Sequence, residues 1–306
     1  MKSSIAKSKS PLRLGIDLGG TKIEAVLLDQ NGSVIFQQRT ATPASDYRAI
    51  LSAVQQLVML AEGEAGQKLA VGLGTPGAIS PKTGLLRNSN TVCMNGRNLY
   101  QDLQQLLQRP LRIQNDANCF ALSEAMDGAA EEFEMVFGVI IGTGTGGGIV
   151  YNKQLIKGMH RIAGEWGHNP LPWQKDYDVP RDCYCGKVGC IETYLSGPGF
   201  CQNVAALTGQ ELSSRELTIG AENGDPFCQQ QMDIYYDQMA RALAHLINII
   251  DPDAIVLGGG MSNIKGIYQQ VPQRLKEYVF SDYVDTRIIP PRYGDSSGVR
   301  GAAWLW

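Results

Sequence analysis

One short pattern, written twice, restricts this chain's fold more than any other feature. Leu12 to Asp17 alternates apolar and polar residues, runs into Gly19-Gly20 and continues as a second apolar run, Ile23 to Leu28. Met135 to Ile141 is continuously apolar, runs into the glycine stretch Gly142 to Gly148 and continues as Ile149 to Tyr151. Apolar runs of this length, bounded by glycines, read as strands joined by tight turns. Two copies of strand, glycine turn and strand imply duplicated α/β domains with a cleft between them.

The rest of the chain fits that plan. Asn31-Gly32 is a hairpin signal leading to a third strand, Val34 to Gln37. A helix follows from about Asp46, with Ile50, Val54, Leu57, Val58 and Ala61 on one face. Leu69 to Leu73 is a strand that ends in Gly74-Thr75-Pro76-Gly77, and Leu111 to Gln114 is another, followed by a helix over Ala117 to Met126. In the second half, Met232 to Ile250 reads as a helix and Ile255 to Leu257 as a strand running into Gly258-Gly259-Gly260, and Ser297 to Trp306 is compatible with a last helix. The expected division is a disordered tail over 1–11 and a smaller domain over 12–122 that takes up 296–306. A larger domain over 123–295 carries a loop at 165–192.

Composition removes several functions. The chain has 35 glycines in 306 residues, where about 21 would be ordinary at ~7%, and without a collagen period they must serve turns and close backbone approaches. A net charge of −3 gives no footprint for nucleic acid. The polar residues 1–10 hold no apolar stretch of a secretory signal, and no apolar run reaches the length of a membrane span. The expectation is a cytoplasmic protein with no membrane and no nucleic-acid partner.

Three clusters carry chemistry. Asp17-Leu18-Gly19-Gly20-Thr21-Lys22 sets a carboxylate, two glycines, a hydroxyl and an ammonium within six residues. That is the equipment for phosphate oxygens and a Mg²⁺ ion, although a glycine hairpin with solvated charges has the same composition. Gly142 to Gly147 fits G-x-G-x-x-G in form, but it opens onto a strand where a dinucleotide fold needs a helix. It is either a plain hairpin or a turn whose amides hold phosphate. Cys183, Cys185 and Cys190, within eight residues and spaced by glycines, form with His168 a Cys₃His set for a structural Zn²⁺. Asp116, after Asn115 at a helix start, is either a helix cap or a general base. Glu165 and Glu192 also lie in or beside glycine-containing loops, and several carboxylates with an Asn are what a polyhydroxylated ligand needs.

Taken in order, these motifs resemble the ROK family of sugar kinases and repressors over nearly the whole chain from Leu12. Asp17 to Lys22, Asn115-Asp116, Gly142-Thr143-Gly144, Glu165 to His168, the cysteine knuckle and Gly258 to Gly260 carry the resemblance. Gly164 to Trp173, Ser80 to Gly84 and the ending Gly294 to Trp306 are similar to its bacterial fructokinase branch. The resemblance implies an actin-like, ribonuclease-H-like fold of two α/β domains around a cleft, with the C-terminal helix returning to the first, usually as a homodimer. It implies ATP, Mg²⁺, a structural Zn²⁺ and a hexose substrate. Asp116 matches the base; Asn115, Glu165, His168, Glu192, Gly77 and Asn90 match sugar-binding positions. Asp17, Gly19, Gly20, Thr21, Lys22, Gly142, Thr143, Gly144 and Gly259 match nucleotide-binding segments, and His168, Cys183, Cys185 and Cys190 match zinc ligands. The expected reaction is phosphorylation of fructose, mannose or glucose at the 6-hydroxyl. The alternatives are an N-acetylhexosamine kinase or glucokinase of the same family, or a non-catalytic sugar sensor or transcriptional regulator. Family repressors carry an N-terminal DNA-binding segment of ~60–70 residues, a size implied by the resemblance. Eleven residues before the first strand point away from that reading.

Overall fold

Glycine-bounded apolar runs become paired strands, and the hairpins come first. A computed structural model describes residues 12–306 of the chain; the tail expected over residues 1–11 lies outside the described residues. The first part contains β1 (Arg13–Leu18), β2 (Lys22–Leu28), β3 (Val34–Ala41), α1 (Tyr47–Ala65), β4 (Val71–Thr75), β5 (Ala78–Ile79), β6 (Leu86–Arg87), α2 (Leu99–Leu107), β7 (Leu111–Asn115) and α3 (Asp116–Met126). Next come β8 (Met135–Ile141), β9 (Thr145–Tyr151), β10 (Gln154–Ile156), α4 (Glu192–Leu195), α5 (Gly197–Thr208), α6 (Ser214–Glu222) and α7 (Pro226–Ile250). The chain ends with β11 (Ala254–Gly258), α8 (Lys265–Leu275), β12 (Arg287–Ile289) and α9 (Ser297–Ala303). It divides into two compact units: one runs to Cys119 and takes up Gly298–Trp306, the other is Phe120–Ser297.

Each unit holds a five-stranded sheet, and the two sheets are wired alike. Their orders are β3-β2-β1-β4-β7 and β10-β9-β8-β11-β12. In both, the first two pairings are antiparallel and the last two parallel. Tight turns make the antiparallel pairs, whereas parallel neighbours need a crossover, which α1 helps to supply between β3 and β4. The repeated opening pattern is therefore one whole sheet plan used twice.

In the first unit, α1 buries the five residues its period indicated, Ile50, Val54, Leu57, Val58 and Ala61. Asp46 Oδ1 accepts the amides of Arg48 and Ala49, and Gly66 ends the helix at φ 63°. α9 lies on the opposite face of the sheet, where Val26 and Leu28 pack on Val299 and Ala303 and two glycines admit its backbone. A Cβ on Gly15 would stand 2.2 Å from the Val299 oxygen, and one on Gly72 1.8 Å from that of Ala302. β3 runs on to Ala41, beyond the expected end at Gln37, as an exposed edge whose polar side chains hid its length.

In the second unit the glycine turn is shorter than expected. Only 142–144 form it, and Gly146 to Gly148 already belong to β9. The reason is packing: a Cβ on Gly147 would lie 2.7 Å from the Phe137 ring and 2.9 Å from the Gly164 oxygen. α7 starts at Pro226, six residues before the expected Met232, under an Asp225 cap whose carboxylate accepts the Cys228 amide at 2.9 Å. From its middle, the fully buried Arg241 pairs with the buried Asp178 at 2.8 Å and 2.9 Å and donates to the oxygens of Pro172 and Trp173. This ties residues 172–178 to α7. No helix among the described residues is long and apolar enough to cross a membrane.

Candidate active site and metal centre

Asp17 is the penultimate residue of β1, in a slot kept open by glycines. A Cβ on Gly74 would stand 3.6 Å from its Oδ1, and one on Gly298 3.4 Å from its Oδ2. Burial pushes the Asp17 carboxyl up to about 7, the charges of Asp116 and Glu24 add to this, and Lys22 opposes it. The same surroundings, burial first and then Asp17 and Asp116, hold the Cys119 thiol well above its ordinary value. The Gly19 amide closes the turn on the Lys22 oxygen at 3.0 Å. Asn90 stands beside that turn, its Oδ1 3.6 Å from where a Gly20 Cβ would be.

Asp116 opens α3, but the capping group is Asn115. Asn115 Oδ1 accepts the amides of Ala117 at 2.9 Å and Asn118 at 3.4 Å, and its Nδ2 donates to the Gly77 oxygen at 3.2 Å. The plain reading of Asp116 as the helix cap is thus corrected by one residue, although Asp116 Oδ1 also takes the Ala117 amide at 2.8 Å. The first unit therefore gathers Asp17, Gly19 to Lys22, Gly77, Asn90, Asn115 and Asp116. Sequence reasoning missed Glu24, which faces Asp17 across the β1–β2 pair. It is fully buried, bonded to Gln37 and paired with Arg39 at 2.9 Å. A carboxylate inside the otherwise apolar run Ile23 to Leu28 was the available signal.

The second unit gathers the remaining residues. Gly142 donates to the Gly144 oxygen at 2.9 Å and accepts the Gly197 amide at 2.9 Å. Gly259, at φ 83°, presses on the same place: a Cβ there would lie 2.4 Å from the Ile141 oxygen. Thr143 is exposed at the tip. Glu192, first residue of α4, directs Oε2 to the Thr145 amide at 2.8 Å. Glu165 is exposed and His168 half-buried, on the two sides of the buried Trp166-Gly167 pair.

The four candidate metal ligands converge. Their donor atoms all lie within 4.8 Å of one another. Cys183 Sγ stands 3.5 Å from His168 Nδ1, and Cys185 Sγ 3.6 Å from Cys190 Sγ. With Zn–S bonds of ~2.3 Å, sulfurs on a tetrahedron lie about 3.8 Å apart, so both the donor types and the spacing fit Zn²⁺. Gly186 and Gly189, both at positive φ, make the turns that aim the thiols. His168 Nε2 meets the Tyr184 hydroxyl at 3.0 Å, which leaves Nδ1 on the thiol side. Tyr184 itself was not anticipated. Burial, then the charges of Glu192 and Glu165, push its hydroxyl up to about 12.

Comparison with known proteins finds relatives over nearly the whole chain. A family profile described as the ROK family matches residues 13–306. An N-acetyl-D-glucosamine kinase of Escherichia fergusonii is 40% identical over 296 residues, covering 95% of this chain and 98% of that protein. Among solved structures, a ROK hexokinase from Thermus thermophilus aligns with a TM-score of 0.85 at 29% identity, over 96% of this chain and 97% of that one. A ROK glucokinase from Streptomyces griseus, in complex with glucose and AMPPNP, aligns with a TM-score of 0.74 at 26% identity, over 96% and 98%.

Proposed function

The chain belongs to the ROK family, and on that footing we propose that it is an ATP-dependent kinase that phosphorylates the 6-hydroxyl of a hexose. Relatives named N-acetyl-D-glucosamine kinases, about as long as this chain, make that amino sugar the first candidate. The observation that carries the reading is the placing of Asp116. It starts a helix that Asn115 caps, close enough to the Asp17 carboxylate to raise its pKa.

In this mechanism Asp116 accepts the proton of the attacking hydroxyl, a contribution of ~10²–10⁴-fold. Lys22 and the amides of Gly19 and Gly20, together with Thr21, are proposed to bind phosphate oxygens. The amides of Gly142 to Gly144, with the Thr143 hydroxyl and Gly259, are proposed nucleotide contacts of the same kind. Gly77, Asn90, Glu165, His168 and Glu192 hold and orient the sugar hydroxyls, and Asn115 fixes the base next to them. Asp17, a hard oxygen donor, suits the Mg²⁺ that accompanies ATP and neutralises phosphate charge. His168, Cys183, Cys185 and Cys190 would hold Zn²⁺, which would fix the loop and take no part in the reaction itself. The working form is proposed to be a homodimer.

Fructose is a second reading, favoured by Ser80 to Gly84, Gly164 to Trp173 and Gly294 to Trp306, the stretches that resemble the fructokinase branch. A coupled ADP-release assay over N-acetylglucosamine, N-acetylmannosamine, glucose, mannose and fructose decides. The highest kcat/KM on N-acetylglucosamine supports the first reading, and the highest on fructose replaces it. Sugar binding with no ADP from any of them would leave a sensor.

A further inference from the structure

The segment that leaves the metal loop grips the glycine turn at both ends. Glu192 Oε2 accepts the Thr145 amide at 2.8 Å, and the Gly197 amide donates to the Gly142 oxygen at 2.9 Å. Between these, a Cβ on Gly144 would lie 2.8 Å from the same Glu192 oxygen, so the carboxylate is pressed against the turn. Glu192 is itself held fast. The preceding Ile191 amide donates to the Asn169 oxygen at 2.8 Å, and Cys190 bridges to Pro170. The Ser196 amide closes α4 on the Glu192 oxygen at 3.2 Å.

We infer that Glu192 is a positioning residue for the turn Gly142–Thr145, fixing the phosphate-binding amides before nucleotide arrives. The inference rests on the proposed kinase reading for what the turn binds, and it gives Glu192 a task besides the sugar contact. A stretch of Gly-Thr-Gly has few side-chain contacts of its own and loses much conformational freedom when ordered. A charged acceptor on a backbone amide is stronger than a neutral one, so one carboxylate oxygen can hold the turn in its binding shape. Ordering done in the free protein is not lost again from binding energy. Because the other oxygen of the carboxylate is not used in this contact, a sugar hydroxyl bound there would link the two substrates through one side chain.

The test uses the full chain with its metal, as wild type, Glu192→Gln and Glu192→Ala, each checked for metal content and thermal midpoint. Amide hydrogen exchange at Thr145 is followed without any ligand, and AMP-PNP and sugar affinities are measured separately by calorimetry. The expected result is Thr145 exchange faster by about 10-fold in Glu192→Ala and AMP-PNP binding weaker by about 10-fold in the absence of sugar. Glu192→Gln, which keeps a carbonyl acceptor, shows smaller changes in both and carries the test if the alanine variant does not fold. Unchanged Thr145 exchange and AMP-PNP affinity, with only sugar affinity falling, would overturn the proposal. The exchange arm needs no nucleotide, so a wild type that binds no AMP-PNP refutes the kinase reading while Thr145 still decides the role of Glu192.

Discussion

Asn115 and Asp116 are neighbours with different work. One caps α3 and bonds the Gly77 oxygen; the other stands at the helix start and is the proposed base. Asp116→Asn, nearly the same shape, is therefore expected to lower kcat by ~10²–10⁴-fold while calorimetry finds sugar affinity within a few-fold of wild type. Asn115→Ala is expected to cost about 1 kcal/mol of stability, seen in urea unfolding, because it removes a cap. The motif residues were legible because each cluster is local: six residues hold the Asp17 hairpin and eight hold the cysteines. Glu24 and Tyr184 were not, since their significance comes from a cross-strand partner and from a fold of the loop that brings His168 to Tyr184.

At the scale of elements, the surplus of glycine is partly a docking surface. Gly15 and Gly72 let α9 approach the sheet to backbone contact, and Gly301 does the same towards the Cys119 oxygen, 1.6 Å from its would-be Cβ. Gly72→Ala is expected to destabilise by ~1–3 kcal/mol through overpacking, read from the urea midpoint. The polar network on α7 gives a pH prediction. Burial raises the Asp237 carboxyl, but the Tyr278 and Tyr177 hydroxyls, Lys175 and Arg241 outweigh it and hold it below its ordinary value. A depressed carboxyl stabilises fully above its unfolded pKa of ~3.9 and loses that share as pH falls through the folded value. Wild type should therefore exceed Asp237→Asn in urea midpoint at neutral pH, with the gap closing below about pH 4. Periodicity found α1 and most of α7 but not α5, α6 or α8. α5 opens Gly-Pro-Gly, α6 is a short polar helix under a Ser213–Glu216 capping box, and α8 carries Pro272 inside it. Each breaks the apolar period that a sequence reader follows.

At the scale of the molecule, two sheets with one order account for the doubled glycine signal that the sequence carries in its first half and again after Met135. The four candidate metal ligands all lie in the second unit, and elemental analysis of the purified chain is expected to find one Zn²⁺ per chain, lost in Cys185→Ser together with thermal stability. Which sugar is bound was the least legible property, because it depends on side chains that meet only after folding, whereas the family is carried by motifs local in sequence. The most direct test of the whole reading is sugar-dependent ADP release by wild type and by Asp116→Asn under the same conditions. The expected result is stoichiometric ADP and hexose 6-phosphate from wild type, with the variant at least ~10²-fold slower. Equal rates in the two proteins, or no sugar-dependent ADP from wild type on any hexose, would contradict it.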